Sequence, residues 1–269
     1  MDMEKPQTSH AVLGRAIARH PIWFAVALTA AIVIVETAIA WAADLAAPGL
    51  PMVQSGLIAN SVLALIAGVL VSYASGWRAA GFRAPISPAS LLHCWAIAAY
   101  SLIVLAGAPS KEEGVSFSVL ALAMIVGFQK EAFSRGLALW MLEPLGRWRA
   151  VSLCGLLYGA MHLGALFVGA PLQPTLVGAT MMALIGFAYA AVRLRTATIW
   201  PLVALQALFY VGAFSQYTSA PSALPPWNVL IMSLLISVSV AGYGVVTLWF
   251  WPDSSGGAAM RAAAAQRIA

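Results

Sequence analysis

The stretch "FQKEAFSRG", Phe128 to Gly136, places Lys130, Glu131 and Arg135 inside an otherwise apolar run from Ser116 to Leu142 that reads as one helix. Ionisable side chains in the middle of a hydrophobic span are costly to bury, so their setting decides what kind of protein this is. That setting is apolar almost everywhere. The chain of 269 residues is 62% hydrophobic and 9% charged, where a soluble domain carries about 25% charge. Its mean hydropathy is +0.88. Apolar runs long enough to cross a bilayer recur along it, the signature of membrane-spanning helices. The fold class is all-α: a polytopic membrane helical bundle.

Working outward, eight transmembrane helices are expected at 21–43, 54–77, 89–108, 116–143, 150–169, 174–193, 197–215 and 227–251. Turn residues separate them: "APGLP" at 47–51, "APISP" at 84–88, "GAP" at 107–109, Pro144, "GAPLQP" at 169–174 and "SALPPW" at 222–227. The expected organisation is a cytoplasmic N-terminal tail at 1–20, a membrane domain at 21–251, and a flexible cytoplasmic tail at 252–269. With eight spans, one side of the membrane receives Lys5, Arg15, Arg19, Arg78, Arg83, Arg147, Arg149, Arg193, Arg195, Arg261 and Arg267. The other receives only Lys111, beside Glu112 and Glu113. This asymmetry satisfies the positive-inside rule with both termini cytoplasmic.

The net charge of +5 is therefore a matter of orientation, and no nucleic-acid partner is expected. The first apolar run, Ile22 to Ala43, is too long for a cleavable signal peptide. Cys94 and Cys154 both fall in apolar runs and read as small core residues. Glycines such as Gly155, Gly159 and Gly164 read as points of close helix approach. Trp23, Trp77, Trp148, Trp200, Trp227, Trp249 and Trp251 sit near span ends as interfacial anchors.

The polar residues fall at one depth. Glu131 lies thirteen residues before Pro144, roughly 20 Å from the cytoplasmic end at the helical rise. His162 lies thirteen residues beyond Arg149. Gln206 and Tyr210 reach about 16 and 22 Å up the seventh span. Lys130, Glu131, Arg135, His162, Gln206 and Tyr210 can thus form one layer shared by three helices. Glu131 and Arg135, at i and i+4, share a helix face and can neutralise each other. Lys130 points about 100° away and needs another partner. The plain alternative to a site is a structural ion pair, with His162 as a hydrogen-bonded core residue.

"KEAFSRG" at 130–136 resembles the first motif of the CPBP (Abi) intramembrane proteases, which include the CAAX-processing endopeptidases: E-E-x-x-x-R, usually followed by Gly. "YGAMH" places Tyr158 and His162 in the family's second motif. "TIWPLVALQALFY" has the entry of the third, H-x-x-x-N, with Gln206 at the His position and Tyr210 at the Asn position. "GFRAP" at 81–85 and "GFAYAAVRLRT" at 186–196 look like family connectors. The resemblance spans about residues 81–215 and implies eight helices in a membrane, the bacterial inner (plasma) membrane being the expected one. In the family, the first Glu and the second-motif His activate a water for attack on a peptide bond, and the later His and Asn stabilise the oxyanion. The resemblance implies Glu131, His162, Arg135 and Lys130 as catalytic positions, with Gln206, Tyr210 and Tyr158 lining the substrate.

Here the family's general base is Lys130, and an ammonium is not a base unless burial strips its proton. No cofactor is expected. A catalytic zinc needs three protein ligands, and Glu131 and His162 offer two. Three readings stand. The first is a non-proteolytic member that retains the fold and binds a membrane-embedded peptide, a prenylated protein segment or a lipid. The second is a rewired endopeptidase, with Glu131 and His162 as base and Lys130, Gln206 and Tyr210 as oxyanion donors. The third is an ion- or proton-coupled transporter whose polar layer extends to Glu36 and Asn60. The sequence shows no inverted repeat for that third reading. The paired arginines 147/149 and 193/195 read as topology determinants on a rim that can attract anionic lipid. His93 reads as interfacial, and His10 and His20 as solvated.

Overall fold

A computed structural model describes residues 9–107, 116–219 and 227–250. The loop holding Lys111, Glu112 and Glu113, the stretch at 220–226, Trp251 and the C-terminal tail lie outside the described residues. So do residues 1–8. Every described element is helical. In chain order they are α1 (Ser9–Arg19), α2 (Pro21–Ala46), α3 (Met52–Leu70), α4 (Pro88–Leu92), α5 (Trp95–Ala106), α6 (Phe117–Glu131), α7 (Arg147–His162), α8 (Leu172–Thr196), α9 (Trp200–Ser219) and α10 (Trp227–Trp249). Beyond its α-helical part, α3 continues through a π turn, Val71–Ser75, and one further turn, Gly76–Ala79. Similarly, α6 continues through a π segment, Ala132–Ala138, to Leu139–Leu142.

Among the described residues, six helices are long and apolar enough to cross a membrane: Pro21–Ala46, Val53–Ala79, Phe117–Leu145, Arg147–Val168, Leu172–Thr196 and Val229–Trp249. With the composition, they make this an integral membrane protein. The third expected span corresponds to a shorter apolar helix, Trp95–Ala106, and the seventh to α9, apolar over Trp200–Ser215. Twelve residues rise about 18 Å, short of the roughly 30 Å hydrocarbon core. The expected N-terminal tail is also more than a tail. Its second half is α1, and Ile17 is buried at 4% exposure in the core cluster around Trp140 and Leu142.

Two features position the polar layer. The first is the central place of α6, which packs against α3 on one side and α9 on the other. Buried residues make up 61% of its most apolar stretch, against 17% for α2. Lys130 to Leu142 is buried without interruption. The second is the close approach of α7 and α8. A Cβ on Gly155 would stand 2.8 Å from the Ala183 carbonyl oxygen, and one on Gly159 2.5 Å from that of Ala179. Small residues let helices without a hydrophobic driving force pack by contact, as the sequence suggested. Cys94 and Cys154 are buried and unbridged.

The π segment starts immediately after Glu131. A π turn interrupts the i→i+4 ladder and often marks a functional position. Here side chains take up carbonyls in and beside it. The Ser134 hydroxyl donates to the Lys130 carbonyl, and the Cys154 thiol donates to the Ser134 carbonyl at 3.3 Å.

Candidate functional site

The polar residues of "FQKEAFSRG" each take a different partner. Gln129 donates its side-chain amide to the Asn60 side-chain Oδ1 on α3 at 3.0 Å. Lys130 reaches α2, where its Nζ donates to both carboxylate oxygens of Glu36 at 3.2 and 3.0 Å. Glu131 stays on its own helix: Arg135 Nη1 donates to its Oε1 at 2.8 Å. About 100° per residue separates these three directions around α6. Lys130 is thus not beside Glu131, as a shared catalytic pair would require. It belongs to another ion pair.

The two ion pairs differ in their access to the outside. Glu131 and Arg135 side chains are both 0% exposed. The Arg135 guanidinium lies 4.1 Å over the Tyr158 ring and 4.9 Å over the Tyr189 ring, a cation between two aromatic faces. Its Nη2 also donates to the Gly186 carbonyl at 3.4 Å. Glu131 Oε2 and Arg135 Nε are buried without a hydrogen-bond partner. In the other pair, Lys130 is 7% exposed and Glu36 is 35% exposed. One pair is sealed and the other is half open.

His162 is held by its own helix. Its Nδ1 bonds the Tyr158 carbonyl oxygen at 2.8 Å, one helical turn back, and its ring meets the Tyr158 ring edge-on with centroids 5.0 Å apart. Lys130, Glu36 and Arg135 all lie within electrostatic reach of it. No hydrogen bond or ion pair joins it to Glu131. Tyr158 is fully buried, and its hydroxyl faces Tyr210 without a hydrogen bond of ordinary geometry. Tyr210 packs between Phe209 and Phe214, at centroid distances of 5.2 and 5.3 Å. Gln206 is 2% exposed, with its Oε1 unpartnered. The expected layer of three helices therefore extends further: α2 brings Glu36, α3 brings Asn60 and α8 brings Tyr189.

Residues 112–212 match the model of the type II CAAX prenyl endopeptidases, described as Rce1-like. The CPBP/CAAX resemblance carried by the motifs holds. The matched stretch runs from before α6 to the middle of α9, well under half of the chain. It takes in Lys130, Glu131, Arg135, Tyr158, His162, Gln206 and Tyr210 but excludes Glu36 and Asn60. No curated protein and no solved structure matches the chain. The Rce1-like stretch thus ends short of the carboxylate that its own Lys130 uses. Among the described residues, no three His, Cys, Asp or Glu side chains gather in one place.

Arg193, whose place in the sequence suggests a topology determinant on the cytoplasmic rim, is buried at 5% exposure. Its Nη2 donates to the Ala79 carbonyl at 3.1 Å, and its charge reaches Glu131. It fits because residue 81 is glycine, with φ +89°, where a Cβ would stand 2.3 Å from the guanidinium. The connector is stapled again by Trp200, whose indole N–H donates to the Phe82 carbonyl at 2.9 Å. "GFRAP" and the α8–α9 corner are thus one unit, a contact no local pattern announces. Tyr189 was overlooked within "GFAYAAVRLRT", where its apolar neighbours gave no polar signal. His93 does not join the layer: Arg195 Nε donates to its Nε2 at 3.4 Å, and the Tyr243 hydroxyl donates to its carbonyl at 2.8 Å.

Proposed function

We propose that this protein is a non-hydrolytic relative of the CAAX prenyl endopeptidases, a membrane protein that keeps the family's fold and has lost its turnover. One observation carries the reading. Glu131, the carboxylate remaining in the first motif, is sealed at 0% exposure and bonded at 2.8 Å to Arg135. A general base must reach a water and the atom it serves. Glu131 reaches Arg135. At the neighbouring motif position the family's carboxylate is replaced by Lys130, whose Nζ is engaged with both carboxylate oxygens of Glu36. Among the described residues, no carboxylate is bonded to His162.

In this reading the motif residues have become a frame. Arg135, Tyr158 and Tyr189 fix α6, α7 and α8 against each other, and Gln206 and Tyr210 close the layer from α9. What remains for function is binding of an apolar chain, a prenylated or membrane-embedded peptide segment being the class that the family likeness suggests. The full topology belongs to the same proposal: α5 and α9 complete eight spans, with both termini on the arginine-rich cytoplasmic side of a bacterial inner membrane.

The test is direct. Purified protein in liposomes is offered a prenylated CAAX-type peptide and a library of membrane peptides, and products are read by mass spectrometry. No product above the blank is the expected result. Cleavage by the wild type that Glu131→Gln abolishes sinks the reading in favour of the rewired endopeptidase.

A further inference from the structure

The ion pair of the polar layer that is open to the outside is Lys130–Glu36, and we infer that Lys130 is a binding site for the carboxylate of an apolar ligand, with Glu36 as its built-in occupant. Three observations support this. The first is the geometry of the pair. Both Glu36 oxygens sit within 3.2 Å of Lys130 Nζ, so a glutamate side chain already occupies the place a ligand carboxylate would take. The cation is buried and fixed to the central helix α6, whereas the anion is 35% exposed and rides on the peripheral α2.

The second observation is how α2 is held. Its buried residues are Pro21, Ala25, Thr29 and Ile32, all in its first half. From Val33 to Ala46 no residue is buried, and Ile34, Trp41 and Leu45 are 66, 56 and 83% exposed. Glu36 lies in this half, where Val33 and Val35 pack partly against the core, and ties it to α6. The third is the packing beneath the pair. An apolar cavity of about 60 Å³ lies where α2 meets α3, between Ile32, Val35, Leu63, Ile66 and Phe133. Tightly packed seams resist opening, and this gap reaches Val35, where the outer half of α2 begins.

The ligand chemistry follows from the depth. The pair lies on two membrane-spanning helices, so the partner that reaches it is a carboxylate on an apolar body: a fatty acid, or the free C-terminus of a hydrophobic peptide. Binding exchanges one carboxylate for another on Lys130, and the outer half of α2 moves aside with Glu36. Lys130 keeps one carboxylate throughout, and Glu36, 35% exposed in the pair, turns its own outward as it is displaced, so that no second anion is buried beside Lys130. A tethered competitor lowers apparent affinity by the fraction of sites it leaves open, so removing it raises that affinity. The inference needs no peptide-bond cleavage and stands apart from the enzymatic question.

The experiment uses the full chain in lipid nanodiscs. The probes are a fluorescent long-chain fatty acid and its methyl ester, and a hydrophobic peptide with a free or an amidated C-terminus. Glu36→Gln is expected to tighten binding of a free-acid probe at least ~10-fold, and Glu36→Gln combined with Lys130→Met to abolish the gain. Ester and amide are expected to be indifferent to both changes. Whichever acid responds names the source; a response from either supports the inference. Equal behaviour of acid and blocked forms, or binding unmoved by Lys130→Met, overturns it. Should Glu36→Gln fail to fold, Glu36→Asp keeps the charge and shortens its reach, and a smaller tightening is expected. Spin labels at positions 34 and 65 supply a second readout in the wild type. Their separation is expected to lengthen with the acid and not with the ester, and an unchanged separation with saturating acid overturns the movement of α2.

Discussion

At the residue scale, the sealed Glu131–Arg135 pair governs stability. Removing one member of a buried ion pair strands the other charge and costs about 3–5 kcal/mol, whereas replacing both with apolar residues of similar size is close to neutral. Glu131→Leu is therefore expected to lower the thermal midpoint of the detergent-solubilised protein sharply. Glu131→Leu with Arg135→Met is expected to recover most of the loss. A single variant as stable as the wild type would show that the pair is not sealed. Lys130 behaves differently because Glu36 is partly exposed: Lys130→Met leaves an anion that can turn outward. Its cost is expected to be clearly smaller than that of Arg135→Met in the same melting experiment.

At the element scale, the connector of residues 76–85 and the α8–α9 corner stand or fall together through Arg193. Gly81→Ala meets two penalties: a positive φ, costing about 1–3 kcal/mol, and a Cβ 2.3 Å from the Arg193 guanidinium. Gly49→Ala meets only the first, since nothing lies within 4 Å of its Cβ. The expected order of thermal loss is Gly81→Ala well ahead of Gly49→Ala; equal losses would remove Arg193 from the account. On the α7–α8 seam, Gly159→Leu forces the helices apart and is expected to cost at least about 1–3 kcal/mol by overpacking. Gly178→Leu, on the same α8 with nothing within 4 Å of its Cβ, is the control and should melt like the wild type.

At the scale of the whole molecule, topology is the measurable consequence. If α5 and α9 complete eight spans, reporter fusions at 47–50, 108–115, 169–171 and 220–226 will report one side of the membrane. Fusions at 80–87, 144–147 and both termini will report the other. A reporter at 220–226 on the same side as one at 144–147 would mean that α9 does not cross, and the eight-span arrangement would fall.

Much of this was legible in the chain alone. The apolar runs, their turn residues and the i, i+4 spacing of Glu131 and Arg135 are local facts, and a membrane leaves a helix little choice, because its backbone polar groups must be satisfied within it. The motif likeness was local as well, and Gly155 and Gly159 announced the α7–α8 approach. What only the tertiary structure decided is which partner each charge takes. Lys130 meets a carboxylate 94 positions away, and Arg193 enters a loop 114 positions away. Tyr158 and Tyr189 come from two different helices to enclose one guanidinium. Nothing in the spacing of residues along the chain encodes those meetings. They depend on which helices pack together and at what rotation, and a turn of about 100° per residue sends neighbouring side chains to different helices.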